Sequence, residues 1–191
     1  MGFLESILGR TRLPKSNEDK IFAMSTAMLT LETSAGLKPT GRVGIVFRSL
    51  PTGRFQKLTS DTVEMLGLQD KASPDDAVSV REVKDDLGFE WLLVEGSQFD
   101  TVLAAIHAVA TGLIDEGLGD CLLAAVFPFS SQSGPVYWIY GYKEATFYPF
   151  APSGERRRDN ATEMRLAAVA KEDLPVEPDL ERWYPLWGVP V

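Results

Sequence analysis

Seven consecutive apolar residues, Cys121 to Phe127, constrain this chain more than any other stretch. The run has the length of a strand, is bounded by Gly117 and Gly119 before it and by a Ser130–Pro135 loop after it, and has no polar face. An almost wholly apolar run of strand length predicts a central strand. The segments around it read the same way. Val136 to Tyr142 places Trp138, Tyr140 and Tyr142 on one face of a second strand, and Lys143-Glu144 turns the chain into a third, Ala145 to Phe150. Upstream, Val43, Ile45 and Phe47 alternate. Val78 to Val83 and Phe89 to Val94, joined by Asp85-Asp86-Leu87-Gly88, make the clearest hairpin of the sequence. Met28-Leu29-Thr30-Leu31 also has strand character.

Helices fall between the strand pairs. Val102, Ile106, Val109 and Leu113 recur about once per turn, which predicts a helix from Gln98 or Asp100 to Glu116, stopped by Gly117. Ser16 to Glu18 starts a helix leading into Ile21, Phe22 and Met24, and another is expected over 59–68. Asn160 with Glu163 three residues on reads as a capping box for a helix to about Lys171. The tail from Leu174 holds four prolines together with Trp183, Tyr184 and Trp187, too many prolines for a strand and too aromatic for a disordered tail. The expected fold is α+β: a mainly antiparallel sheet built from strand pairs, helices covering one face, and the proline- and tryptophan-rich C-terminal tail packed on the domain. The expected organisation is an amphipathic N-terminal segment, 1–15, and one α+β domain over 16–191. In the first segment Phe3, Leu4, Ile7 and Leu8 share a helical face, followed by Arg10, Arg12 and Lys15.

Composition then removes function classes. A single cysteine excludes an intrachain disulfide framework and a Cys-rich zinc site, and a single histidine excludes every motif that needs two. No phosphate loop, dinucleotide fingerprint, nucleophile elbow or HExxH is present. A net charge of −8 argues against general nucleic-acid binding. Residues 59–90 concentrate nine acids against three bases, which reads as a solvated face or as a docking face for a basic partner. No stretch approaches the length of a membrane span, and the first twelve residues lack the features of a secretory signal, so the chain is expected to be cytoplasmic.

The few chemically capable residues each have a plain structural reading. Cys121 and His107 read as a core thiol and a helix-packing histidine rather than a nucleophile pair. Asp75-Asp76 and Asp85-Asp86 read as turn formers. The Trp138, Tyr140 and Tyr142 stripe reads as core or, alternatively, as a stacking face. Arg156, Arg157 and Arg158 sit before a helix start, at the positive end of its dipole, where they do nothing for the helix. They read either as partners for carboxylates or as an anion-binding group. No catalytic residue, metal ligand or cofactor site emerges. Candidate partner- or anion-binding residues are Phe3, Leu4, Ile7, Leu8, Arg156, Arg157 and Arg158.

Several segments carry a family likeness. Met1-Gly2-Phe3-Leu4 with Leu8-Gly9-Arg10, Gly117-Leu118-Gly119, Thr146 to Pro152, Gly154-Glu155-Arg156-Arg157 with Asp159-Asn160-Ala161, and Leu174 to Leu180 with Arg182 to Gly188 resemble the PspA-associated protein PspAB family. Those proteins occur mostly in actinobacteria and some archaea. The resemblance runs through nearly the whole chain. It implies association with PspA, a coiled-coil protein of the phage-shock envelope-stress response that works on the inner face of the membrane. It brings no catalytic residues and no cofactor. The leading expectation is therefore a non-enzymatic cytoplasmic interaction protein with a PspA-like coiled-coil partner and at most weak peripheral contact with the inner membrane surface. A peptide-binding, chaperone-like module is the alternative, and an enzyme using Arg156, Arg157, Asp159 and Glu163 comes last, since one histidine and one inert thiol leave few proton carriers near neutral pH.

Overall fold

Buried backbone groups have to be hydrogen-bonded, and the apolar runs that alternate or lack a polar face satisfy theirs here by pairing into one antiparallel sheet. The computed structural model describes residues 18–48 and 78–191, with isolated positions 53, 57, 60 and 61. The expectations for residues 1–15, Phe3, Leu4, Ile7 and Leu8 among them, for Asp75-Asp76, and for the 59–68 helix apart from Ser60 and Asp61, lie outside the described residues.

The strands are β1 (Lys38–Pro39), β2 (Arg42–Phe47), β3 (Val78–Lys84), β4 (Glu90–Gly96), β5 (Leu122–Ser131), β6 (Gly134–Gly141) and β7 (Thr146–Phe150). Their order is β3-β4-β2-β5-β6-β7, with β1 added to the end of β5. The Cys121 run does form an interior strand, and Leu122 to Phe129 are all buried. It is longer than its apolar core. Ser130 and Ser131 extend it to pair with Pro135 and Gly134, so the expected loop shrinks to a two-residue turn. The 78–96 hairpin forms as expected, and its register sets Val80 opposite Val94.

The helices are α1 (Ala23–Ala35), α2 (Phe99–Asp115) and α3 (Asn160–Ala170). A 3₁₀ turn, Glu18–Phe22, leads into α1. Met28 to Leu31 is thus not a strand. Four residues of mixed polarity fit either period, and the wider spacing of Met24, Ala27 and Leu31 puts three side chains on one buried helical face. Gly36, at φ 68°, closes α1 by donating to the Glu32 and Leu31 carbonyls, a left-handed cap that a residue with a side chain would resist.

Both faces of the sheet are covered, by different means. On the first, Ile45, Phe47, Val94, Phe127, Trp138 and Tyr140 pack with Met24 and Leu31 of α1, Ile106 and Val109 of α2, and Leu166 of α3. Trp138, Tyr140 and Tyr142 are fully buried here, which makes them core. On the second face, Val46, Trp91, Leu93, Val126, Ile139 and Phe150 pack with Trp183 and, less deeply, with Leu186, Trp187, Val189 and Val191 of the tail. Gly44 makes room for this layer: a Cβ there would collide with Val191 and stand 3.1 Å from Trp91. The tail also adds to the sheet edge. Val176 bridges Phe147 in parallel, and Phe147 exchanges 2.8 Å backbone bonds with Pro175 and Glu177.

Ile106 sits at the centre of the first interface and is fully buried. Ile106→Ala is expected to destabilise the protein by about 2–5 kcal/mol in chemical denaturation, the cost of lost burial plus the cavity left behind. A change near zero would place that helical face in solvent.

Candidate functional site

The three-arginine run ends up in a structure that divides it. After β7 the chain forms a tight hairpin: Pro152 bridges Arg158, Ser153 N–H donates to Arg157 C=O at 2.8 Å, and Asp159 N–H donates to Ala151 C=O at 2.8 Å. The tip needs left-handed backbone at two residues, Gly154 at φ 88° and Arg156 at φ 48°. Glycine takes that conformation freely, whereas arginine is strained in it. Arg156 and Arg157 are both exposed at this tip.

Arg158 turns inward. Its guanidinium forks onto the Glu163 carboxylate, with Nη2 2.8 Å from Oε2 and Nε 3.1 and 3.0 Å from the two oxygens. It also donates to the Trp183 carbonyl and lies 5.6 Å from the centre of the Phe150 ring. Glu163 is only 2% exposed and accepts the Ala151 N–H at 2.9 Å as well. Of the two sequence readings of the run, Arg158 follows the pairing one, while Arg156 and Arg157 remain at the surface.

The capping box does not form, because Glu163 is committed to Arg158. Asp159 caps α3 instead, accepting the Thr162 N–H at 3.0 Å and the Thr162 hydroxyl at 2.7 Å. The Thr162 backbone bond, followed by the hydroxyl, holds the Asp159 carboxyl below the ordinary aspartate range. This stabilisation is complete above the usual aspartate pKa and is lost as pH falls through the lowered one.

The other end of the assembly is the tail. Trp183, 6% exposed, donates from Nε1 to the Glu177 carbonyl at 3.0 Å and stacks against Tyr148, ring centres 6.4 Å apart. Glu177, 5% exposed, accepts from the Thr146 hydroxyl at 2.8 Å and from the Asp179 N–H at 3.0 Å. Between α3 and the short 3₁₀ turn Leu180–Arg182 lies an open groove of about 360 Å³, lined by Arg158, Asn160, Glu163, Met164, Leu180 and Trp183. Met164 and Leu180 are half exposed along it. Sequence reasoning missed both. Leu180 is flanked by Asp179 and Glu181, and Met164 is one apolar residue in an alanine-rich helix, so neither signals exposure. A smaller cavity of about 90 Å³ lies among Lys143, Glu144, Tyr148, Glu177 and Arg182. Burial pushes the Tyr148 hydroxyl far above its ordinary pKa, so it stays protonated.

The remaining chemically capable residues sit apart from this groove. His107 Nε2 lies 2.9 Å from Asp19 and its ring 4.7 Å from that of Phe22, tying the entry turn to α2. Cys121 is half-buried, and burial raises its thiol pKa against the pull of Arg48. Asp85 organises the β3–β4 turn by accepting from Leu87 N–H, Phe89 N–H and the Trp91 indole at 3.0, 2.8 and 2.9 Å. Among the described residues no cluster of three metal-ligating side chains occurs, and no helix is long and apolar enough to cross a membrane.

The whole chain, residues 1–191, matches the family model described as PspA associated protein B, PspAB. The chain belongs to the PspAB family. No curated protein and no solved structure matches it. The family is described by its association with PspA.

Proposed function

We propose that this PspAB protein is a non-enzymatic, cytoplasmic interaction protein of the envelope-stress response whose partner is a PspA-like coiled-coil protein. The observation that carries the reading is the family match over the full length, in a family described by its association with PspA. The side chains support it. Burial pushes the Cys121 thiol toward its protonated, inert form. Among the described residues the two most buried carboxylates, Glu163 and Glu177, are taken up by Arg158 and by the Thr146 hydroxyl.

The N-terminal segment is proposed to assist. Phe3, Leu4, Ile7 and Leu8 give a face too short to stay helical alone in water, so it needs a surface to order it. Arg10, Arg12 and Lys15 beside an anionic bilayer contribute about 1 kcal/mol each, enough only for weak attachment that salt removes. The net charge of −8 opposes binding to the membrane without a protein partner.

Tagged protein is expected to capture PspA from stressed cells, and purified protein to sediment with anionic vesicles in the presence of PspA. A chain lacking residues 1–12 should sediment less. Absence of PspA from the captured material in both stressed and unstressed cells would overturn the partner. Equal sedimentation and equal PspA capture by the two chains would assign residues 1–12 a structural role.

A further inference from the structure

We propose that residues 185–191 form a releasable strap over the second face of the sheet, which lifts about Tyr184–Pro185 while Trp183 and the rest of the fold stay in place, and bares an apolar strip beside Gly44. The tail is fastened in two different ways along its length. Up to Tyr184 it is hydrogen-bonded. Phe147 exchanges backbone bonds with Pro175 and Glu177, and the Trp183 indole donates to the Glu177 carbonyl at 3.0 Å. Arg158 donates to the Trp183 carbonyl, and the Tyr184 N–H donates to the Arg182 carbonyl at 3.0 Å. Beyond Tyr184, among the described residues, no backbone hydrogen bond joins the segment to the rest of the chain. Pro185 and Pro190 have no N–H to give.

Side-chain contact is what holds the strap. Leu186, Trp187, Val189 and Val191 pack on the second face from outside, each only partly buried, whereas Trp183 just before them is 6% exposed. Trp187 meets the Phe150 ring edge-on, centres 4.9 Å apart. Val191 sits in the space that a Cβ on Gly44 would fill. A segment with no backbone bonds to its support opens at the low end of the local stability range, because lifting it exposes apolar area and breaks no ladder. The first face is covered differently, by α1, α2 and α3, each of which keeps its own internal hydrogen bonds.

Beneath the strap, Leu93, Gly44, Val126 and Ile139 stand opposite one another across β4, β2, β5 and β6 and form one row. Leu93, Val126 and Ile139 are all buried. An open cleft of about 460 Å³, lined by Arg42, Ser79, Arg81, Leu93 and Glu95, adjoins the Leu93 end of this row. Lifting the strap therefore widens an existing opening. Contiguous apolar surface exposed to water tends to associate, so the seated strap is an inhibitory cover that withholds the strip.

The test reads thiol labelling of the folded full chain in a Cys121→Ser background. Val126→Cys lies under the strap, and Ala125→Cys, its neighbour on β5, faces the helices; both positions are fully buried. Val126→Cys is expected to react about a hundredfold faster, with a rate that low urea leaves nearly unchanged, since local opening exposes little surface. Trp187→Ala/Val191→Ala should raise the Val126→Cys rate about tenfold by loosening the grip. Ile106→Ala, which weakens the first face, should speed Ala125→Cys and leave Val126→Cys as it was. Melting temperatures accompany each variant, and where Val126→Cys lowers its own, Val46→Cys against Ile45→Cys takes over the comparison. Equal rates with equal urea dependence overturn the strap, because both faces then open only by global unfolding. A Val126→Cys rate that Ile106→Ala raises as much as it raises Ala125→Cys, or that Trp187→Ala/Val191→Ala leaves unchanged, overturns it as well.

Discussion

Arg158→Ala is expected to destabilise the protein by about 3–5 kcal/mol, because it strands a buried carboxylate. Glu163 is 2% exposed, and without the guanidinium it keeps only the Ala151 N–H, 2.9 Å away. The loss also frees the Trp183 carbonyl and the face of Phe150. Replacing both partners removes the stranded charge, so Arg158→Met/Glu163→Leu should be markedly more stable than Arg158→Ala. Urea unfolding of Arg158→Met, Glu163→Leu and the double variant measures the coupling. A loss below about 1 kcal/mol for Arg158→Ala would mean that the pair behaves as an exposed one.

Trp183→Ala is expected to cost about 3–5 kcal/mol and to loosen the tail from the second face of the sheet. The indole contributes apolar area between Tyr148 and the groove, and a hydrogen bond to the Glu177 carbonyl. Trp183→Phe separates the two: it keeps most of the ring and loses the bond, a cost of about 1 kcal/mol for the bond itself. Deleting residues 180–191 removes Trp187, Val189 and Val191 as well, and should lower the melting temperature more than Trp183→Ala does. An unchanged melting temperature on deletion would show that Val46, Leu93 and Val126 need no cover from the tail.

The groove was the part least visible in advance, for a definite reason. Arg156, Arg157 and Arg158 are chemically identical in the sequence, and only the hairpin geometry separates them, sending one guanidinium inward and leaving two outside. Glu163 has the spacing of a capping residue, but a half-buried arginine competes for a carboxylate more strongly than a backbone N–H at an exposed helix end does. Asp159 then took the cap. Met28 to Leu31 lies in a helix because four residues of mixed polarity have no period of their own, and the face set by Met24, Ala27 and Leu31 decides it.

What the sequence determined by itself was the set of segments with a strong period or none: the alternating hairpin at 78–94, the doubly apolar strand after Cys121, the heptad-like face of α2, and hence an antiparallel α+β fold. Those features follow from local spacing, which every chain carries along its own length. What only the tertiary structure decided was which neighbours meet across long separations: β2 between β4 and β5, the tail laid over Gly44, and Met164 and Leu180 brought to one groove from residues sixteen apart. Those meetings depend on closing the core and finding a partner for each buried charge, a requirement on the folded molecule that no single segment expresses.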